Sequence, residues 1–253
     1  MNTKISSVII LVGGLGSRFS SINENPKQLS KLKNEYILIH IIKHFEKYGI
    51  NHFIFPLGFK KQFFSKFFLS RKNIKKYKFN ILNKNLKYNQ IIKKKINISF
   101  FNAGNNTTKM LRIFKSLKYV IGENFMVSYG DDLSNIKINQ IIKKFNFNKQ
   151  KKAVFAIFRN RSQYGHVITK KNGLVKKFIE KPFHQHPINI GNYIFNKKIF
   201  KKNTSKKGEL ETDMLQKLAK SKALQTFEHK GYFYSINDKK ELNLAKQKIE
   251  KFK

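Results

Sequence analysis

Residues 13–18 read Gly-Gly-Leu-Gly-Ser-Arg, follow a short apolar run, and are followed by Pro26-Lys27 nine residues after Arg18. Glycines let backbone N–H groups approach an anion without a Cβ in the way. Arg18 and Lys27 add two cations for the same phosphates, the first as a planar fork and the second as a point charge. A dinucleotide fingerprint needs a third glycine where Phe19 stands, and a phosphate-binding P-loop needs a lysine that "GLGSRF" lacks. A second candidate is Asp131-Asp132, which closes the run "FMVSYGDD". With only 14 acidic residues in the chain, two adjacent carboxylates at a strand end either cap an Asx-type turn or face a ligand. Successive side chains of extended backbone point opposite ways, so only one of the two, Asp131, is expected to face the pocket.

These residues need a scaffold, and the periodicity supplies one. Ser6–Val12 reads as a buried strand and Glu35–Tyr48 as a helix stopped by Gly49. His52–Leu57 is a second strand, Lys60–Leu69 a helix, Ile98–Asn102 a strand and Thr107–Tyr119 a helix. Asn124–Tyr129 is the strand that delivers Asp131. Ile138–Phe145 is helical and Ala153–Phe158 is again a strand. Such alternation predicts an α/β fold with a mostly parallel sheet between helices. Residues 71–97 are dense in Lys and Asn, with regular apolar residues that favour an ordered insertion. Beyond residue 159, "KKNG" predicts a hairpin turn. "INIGNYIFN" reads as a strand, Glu209–Ala219 as a helix, and Asp238 opens a terminal helix to about Lys251.

Several further residues have two readings each. Thr107, Thr108 and Arg112 sit at a helix start that Asn106 or Thr107 could cap, which is also a favourable place for phosphate. Asn237-Asp238 is a plausible cap for the last helix. Lys181, one lysine among many, reads as a solvated residue, and Asn189 and Gly191 read as a strand bulge. His166, His184, His186 and His229 have no matching carboxylate or cysteine cluster, so no zinc site is expected.

The 253 residues carry 53 Lys and Arg against 14 Asp and Glu, a formal net charge of +39. The excess is spread along the chain and travels with Asn, Ile and Phe, as a compositional bias does and a nucleic-acid patch does not. No nucleic-acid partner is expected, though such a surface draws anions inward. Cysteine is absent, which excludes disulfides and thiolate metal sites. No signal peptide and no membrane span is read, so a soluble cytoplasmic protein is expected.

Taken together, "VIILVGGLGSRF" with "PKQL", "HFEKYGINHFIFPLGFKKQFFSKFF", "NAGNNTTKMLRI", "FMVSYGDDLSN", "IEKP", "INIGNYIFN" and "FEHKGYFYSIND" resemble the sugar-phosphate nucleotidyltransferases. The resemblance spans nearly the whole chain and is strongest toward the glucose-1-phosphate cytidylyltransferase branch. It implies the nucleotide-diphospho-sugar transferase fold: a Rossmann-like mixed sheet with a smaller β-rich sugar-binding part. The single domain, 1–253, would divide into a nucleotide-binding half, 1–150, with the basic insertion 71–97, and a sugar-phosphate half, 151–253. The implied substrates are a nucleoside triphosphate, CTP favoured, and a sugar 1-phosphate, glucose 1-phosphate favoured. Pyrophosphate would leave, and the nucleotide sugar would serve surface polysaccharide synthesis. A homo-oligomer is compatible with the resemblance.

The resemblance also implies roles. Leu11, Gly13, Gly14, Gly16, Ser17, Arg18, Thr107, Arg112 and Gly130 would meet the nucleotide. Arg18, Lys27 and Asp131 would be catalytic, with Asp131 on Mg²⁺. Glu180 would bind sugar hydroxyls, Lys181 the sugar phosphate, and Asn189 and Gly191 would admit the sugar ring. The family pattern places a second metal aspartate where Asn237 stands. Asn237 offers an amide oxygen without charge, and Asp238 could substitute through a one-residue shift.

Overall fold

A strand buried on both faces needs apolar residues at successive positions. β1 (Ser7–Leu11) has them: Val8 and Ile10 enter one core, Ile9 and Leu11 the other. The computed structural model describes residues 5–12, 24–82, 95–147, 152–202 and 208–249. Gly13, Gly14, Gly16, Ser17 and Arg18 therefore lie outside the described residues.

After β1 come a 3-10 turn at Lys27–Leu29, the short ribbon β2 (Lys31–Leu32) and β3 (Glu35–Tyr36), and helix α1 (Ile37–Glu46). Then follow β4 (His52–Leu57), α2 (Lys61–Leu69), α3 (Arg71–Tyr77), β5 (Phe79–Ile81) and β6 (Ile96–Asn102). Next are α4 (Lys109–Ser116), β7 (Asn124–Tyr129), β8 (Asp132–Ser134), α5 (Ile138–Phe147) and β9 (Ala153–Phe158). The remainder holds the hairpin β10 (His166–Thr169) and β11 (Val175–Ile179), then β12 (Ile188–Asn189), β13 (Tyr193–Asn196) and α6 (Lys197–Lys202). A π-helical turn, Leu210–Leu215, runs into α7 (Gln216–Lys220), and β14 (Leu224–His229), β15 (Phe233–Ser235) and α8 (Lys239–Ile249) close the chain.

Among the described residues nine strands form one sheet, in which β13, β7, β1, β4, β6 and β5 lie side by side in that order. β9 pairs with β12 and β13 on one side and with β14 on the other. β5, β6, β4, β1 and β7 are mutually parallel, and β13 runs against its neighbours. α1, α2, α5 and α8 cover one face; α4, α6, the π-helical turn and α7 cover the other. The expected mostly parallel sheet between helices is what forms. No helix among the described residues is long and apolar enough to cross a membrane.

Local departures have local causes. "INIGNYIFN" is not one strand: Gly191, at φ 70°, and Asn192, at φ 51°, break it into β12 and β13. Left-handed backbone cannot continue a β ladder. Part of the basic segment 71–97 is regular, since α3 leads into β5, the sheet's edge; residues 83–94 lie outside the described set. The helix expected over Glu209–Ala219 begins as a π-helical turn. Thr108, not Asn106 or Thr107, caps α4, accepting from Leu111 N at 3.1 Å. The ribbon of β8 with β15 has only three residues a strand, too short for periodicity to reveal.

At the opposite end of the strands from the candidate site, His52 is fully buried between Ser7 Oγ (Nδ1, 3.0 Å) and Ser99 Oγ (Nε2, 3.0 Å). Ser7 Oγ also accepts Ile121 N–H at 3.0 Å. Burial pushes the His52 imidazole down to about 4 from its ordinary 6.5. The neutral form is therefore the one that folds. Its contribution to stability is intact above pH 6.5 and drains away as pH falls from 6.5 toward 4, by on the order of 3 kcal/mol. Urea denaturation at pH 7 and pH 4.5 should show this loss in the wild-type protein and a flatter profile in His52→Gln; equal slopes would refute the assignment.

Candidate active site

The site is built where β1 and β7 end side by side. Leu11 and Tyr129 are in register, and Gly130 N donates to Leu11 O at 3.0 Å. A Cβ on Gly130 would stand 2.6 Å from Val12 Cγ1 and 3.1 Å from Leu11 O, so only glycine allows this approach. Asp131 follows directly, at the point where the chain leaves β1 for the glycine-rich segment.

Lys27 reaches the same point from the other side of that segment. Pro26, at φ −62°, opens the 3-10 turn that carries it, and Leu29 N bonds Pro26 O at 2.8 Å. Lys27 Nζ forms an ion pair with Asp131 Oδ2, with side chains 14% and 21% exposed. Two residues 104 positions apart thus converge at the C-terminal edge of a parallel sheet, where α/β folds receive ligands.

Asp132 turns elsewhere. It lies opposite Ser235 in the β8–β15 ribbon, and burial, then the neighbouring Asp131 charge, pushes its carboxyl well above the usual range. The same ribbon delivers the end of the chain. Ile236 N donates to Asp131 O at 3.0 Å, which sets Asn237 next to the aspartate. Asp238 caps α8, accepting from Glu241 N at 2.7 Å, while Glu241 Oε2 accepts from Asn237 N at 2.5 Å. This reciprocal arrangement resembles a capping box. It engages Oδ1 of Asp238, while Asn237 Nδ2 turns to Ser235 Oγ at 3.3 Å.

Among the described residues, no group of three or more His, Cys, Asp or Glu gathers to hold a metal by itself. A carboxylate beside an amide oxygen nevertheless suits a hard cation that takes one or two protein oxygens and completes its shell with phosphate and water. The donor set fits a hard divalent cation.

A second group joins Asn189, expected beside the sugar, to Lys109, Tyr129, Tyr193 and Glu211, which the sequence does not single out. Asn189 Nδ2 donates to Tyr193 Oη at 2.7 Å, Tyr193 Oη and Tyr129 Oη are 3.0 Å apart, and Tyr129 Oη donates to Glu211 Oε1 at 2.7 Å. Because the Tyr129 proton goes to Glu211, Tyr193 is the donor to Tyr129. Lys109 Nζ completes the ladder on Glu211 Oε1 and lies 5.3 Å from the Tyr129 ring centre. Burial pushes the Glu211 carboxyl up, and the bonds from Lys109 and Tyr129 outweigh that and hold it below its ordinary value. Burial also pushes both phenols up. The ladder ties α4 to the π-helical turn and to the bend at Gly191. No local spacing joins residues 109, 129, 189, 193 and 211, so only their meeting in space marks them.

The other expected residues divide. Leu11, Lys27, Gly130 and Asp131 converge, with Asn237 following the residue whose N–H bonds Asp131 O; Asn189 belongs to the tyrosine ladder and Gly191 packs against it. Thr107 Oγ1 donates to Gly104 O at 2.9 Å, and Arg112 is buried with its guanidinium on main-chain carbonyls. Glu180 and Lys181 are not drawn into this convergence: they end the exposed hairpin strand β11, 3.7 Å from each other and about 60% exposed.

The chain belongs to the nucleotidyl transferase family, whose model matches residues 7–236. It is 31% identical to a probable glucose-1-phosphate cytidylyltransferase of Bacillus subtilis (strain 168), over 92% of each chain. It is 27% identical to a D-glycero-alpha-D-manno-heptose 1-phosphate guanylyltransferase of Aneurinibacillus thermoaerophilus, over 96% of this chain and 98% of that one. Its fold matches the crystal structure of a UDP-glucose pyrophosphorylase complexed with UDP-glucose, with a TM-score of 0.69 at 21% identity, covering 99% of this chain and 100% of the other.

Gly191 tests how tightly the tyrosine ladder is held. A Cβ there would meet the Tyr129 ring at 2.8 Å on a backbone at φ 70°. Gly191→Ala should lose about 1–3 kcal/mol from the left-handed backbone alone. Urea titration reads it, and a change within about 0.5 kcal/mol, as for an ordinary surface site, would show that the bend is loosely packed.

Proposed function

We propose that this protein transfers a cytidylyl group from CTP to glucose 1-phosphate, releasing pyrophosphate and forming a nucleotide sugar for surface polysaccharide synthesis in the cytoplasm. The observation that carries the reading is the convergence of Lys27 and Asp131 at the edge where the glycine-rich segment leaves β1. The CTP and glucose 1-phosphate assignment draws on the printed name of the relative at 31% identity. A guanylyltransferase among the relatives makes the base a question for experiment.

In such a transfer the sugar phosphate oxygen attacks the α-phosphorus, and charge grows on the departing pyrophosphate. The protein needs to align two anions and neutralise them. Lys27 is placed to exchange its contact with Asp131 for a phosphate oxygen, as a flexible point charge. Arg18 would grip the same leaving group by its planar fork. Asp131, with Asn237 beside it, would hold Mg²⁺, which would supply positive charge against the polyphosphate. Gly13, Gly14, Gly16 and Ser17 would present backbone N–H groups to the triphosphate, with Leu11, Thr107 and Gly130 lining the nucleotide. Asn189 and Gly191 would admit the sugar, Glu180 would accept from its hydroxyls and Lys181 would meet its phosphate. The +39 charge supports the capture of both anionic substrates. Self-association belongs to the same proposal and is read by size-exclusion chromatography.

Pyrophosphate release tests the reading. Four nucleoside triphosphates against several sugar 1-phosphates with Mg²⁺ should show the CTP and glucose 1-phosphate pair fastest. Asp131→Ala should lower that rate by about 10²–10³-fold, the scale of losing one preorganised charge-stabilising group. No release from any pair would favour a non-catalytic binding protein on this scaffold, and a faster pair would reassign the substrates.

A further inference from the structure

The tyrosine ladder has a direction. Lys109 Nζ and Tyr129 Oη both donate to Glu211 Oε1, the second at 2.7 Å. A carboxylate held by an ammonium only accepts, so the Tyr129 proton is committed to it. Tyr129 Oη then accepts from Tyr193 Oη at 3.0 Å, and Tyr193 Oη accepts from Asn189 Nδ2 at 2.7 Å. The two ends of an amide are told apart by the donors and acceptors around them. Here the ladder requires nitrogen toward Tyr193, and a second bond agrees with it: Gly191 N donates to Asn189 Oδ1 at 3.0 Å. Both ends of the Asn189 amide are therefore assigned.

The members of the ladder differ in exposure. Tyr193 is fully buried, Lys109, Tyr129 and Glu211 are half-buried, and Asn189 is exposed. Asn189 Nδ2 carries a second hydrogen, which has no protein partner among the described residues. Tyr129 stands two residues before Asp131, so the ladder starts beside the strand end that carries the candidate metal carboxylate. The buried part is enough to tie α4 to β7 and β13. The exposed amide at its far end adds something else: an N–H at the surface whose identity is fixed from within.

We propose that Asn189 is a specificity-determining residue that donates a hydrogen bond to one hydroxyl oxygen of the sugar 1-phosphate, and that Glu211, Tyr129 and Tyr193 are positioning residues that fix which end of its amide is presented. This rests on the nucleotidyl-transfer reading, in which Asn189 borders the sugar. An amide free to turn offers a donor or an acceptor and suits many hydroxyl patterns. A held amide favours the sugar that places an oxygen at one point, and disfavours the analogue that lacks it. Lys109 acts one step further back, since its ammonium keeps Glu211 an acceptor.

Monodeoxy analogues of the preferred sugar 1-phosphate, glucose 1-phosphate on the reading above, are the informative substrates. For one of them wild-type kcat/KM should fall about tenfold, the scale of one hydrogen bond. The same analogue should fall less than about twofold in Asn189→Ala and about threefold in Tyr193→Phe, which removes only the acceptor of Asn189 Nδ2. KM for the triphosphate should stay within about twofold in both variants, as a contact confined to the sugar requires. The double variant should be no worse than Asn189→Ala, because the phenol acts through the amide. Glu211→Gln, which keeps an acceptor oxygen, should stay nearer wild type than Glu211→Ala. In protein without substrate, one Asn189 Nδ2 proton should exchange about tenfold more slowly than the other, and Tyr193→Phe should abolish the difference. If wild-type protein releases no pyrophosphate from any pair, the transfer reading has failed and the sugar contact with it, and the amide protons alone decide whether the ladder holds Asn189. A deoxy series ranked alike in wild type and Asn189→Ala, additive losses in the double variant, or equal exchange of the two wild-type protons would overturn the proposal.

Discussion

An ammonium and a carboxylate meeting at the end of β1 and β7 are the constraint on which the rest of the site depends. Asp131 lies where β1 and β7 end, and Lys27 meets it there. Each charge partly satisfies the other while no polyphosphate is bound. The pair brings two catalytic candidates into contact where both side chains are largely shielded from water. Glycine at 130 is what lets the two strand ends approach closely enough for this to happen.

Around that point the protein holds its parts with polar groups directed at backbone. Arg112 and Lys60 bond carbonyls, Thr108 and Asp238 cap helices, and Asn135 Oδ1 accepts from Tyr232 N at 2.8 Å. Such bonds fix where elements begin and end, while the apolar faces fix which side of the sheet they cover. The tyrosine ladder does the same near the bend at Gly191, joining α4, β7, β13 and the π-helical turn through hydroxyls and one carboxylate. A π-helical turn at Leu210–Leu215 is consistent with this, since such turns recur near functional sites.

The surface charge and the site serve one another. Lysines spread along the chain produce a field that draws in anions without selecting among them.

The sequence by itself determined the layers and the outline of the site. Consecutive apolar residues such as Val8–Leu11 require a strand buried on both faces, and the strand–helix alternation requires a mostly parallel sheet. Lys27 after a proline, and Asp131 after an apolar strand, stand out as candidates because each is marked by its immediate neighbours in the chain. What the tertiary structure decided was every pairing between distant positions. Lys109 with Glu211, Tyr129 with Tyr193, and Arg112 with Val12 depend on helix placement that no local period encodes. The same holds for the fate of Arg112 and Asp238: their types suit a phosphate or a metal equally well. Only the packing shows that one holds a carbonyl and the other caps a helix, because a side chain's role follows from which unsatisfied backbone group lies within its reach.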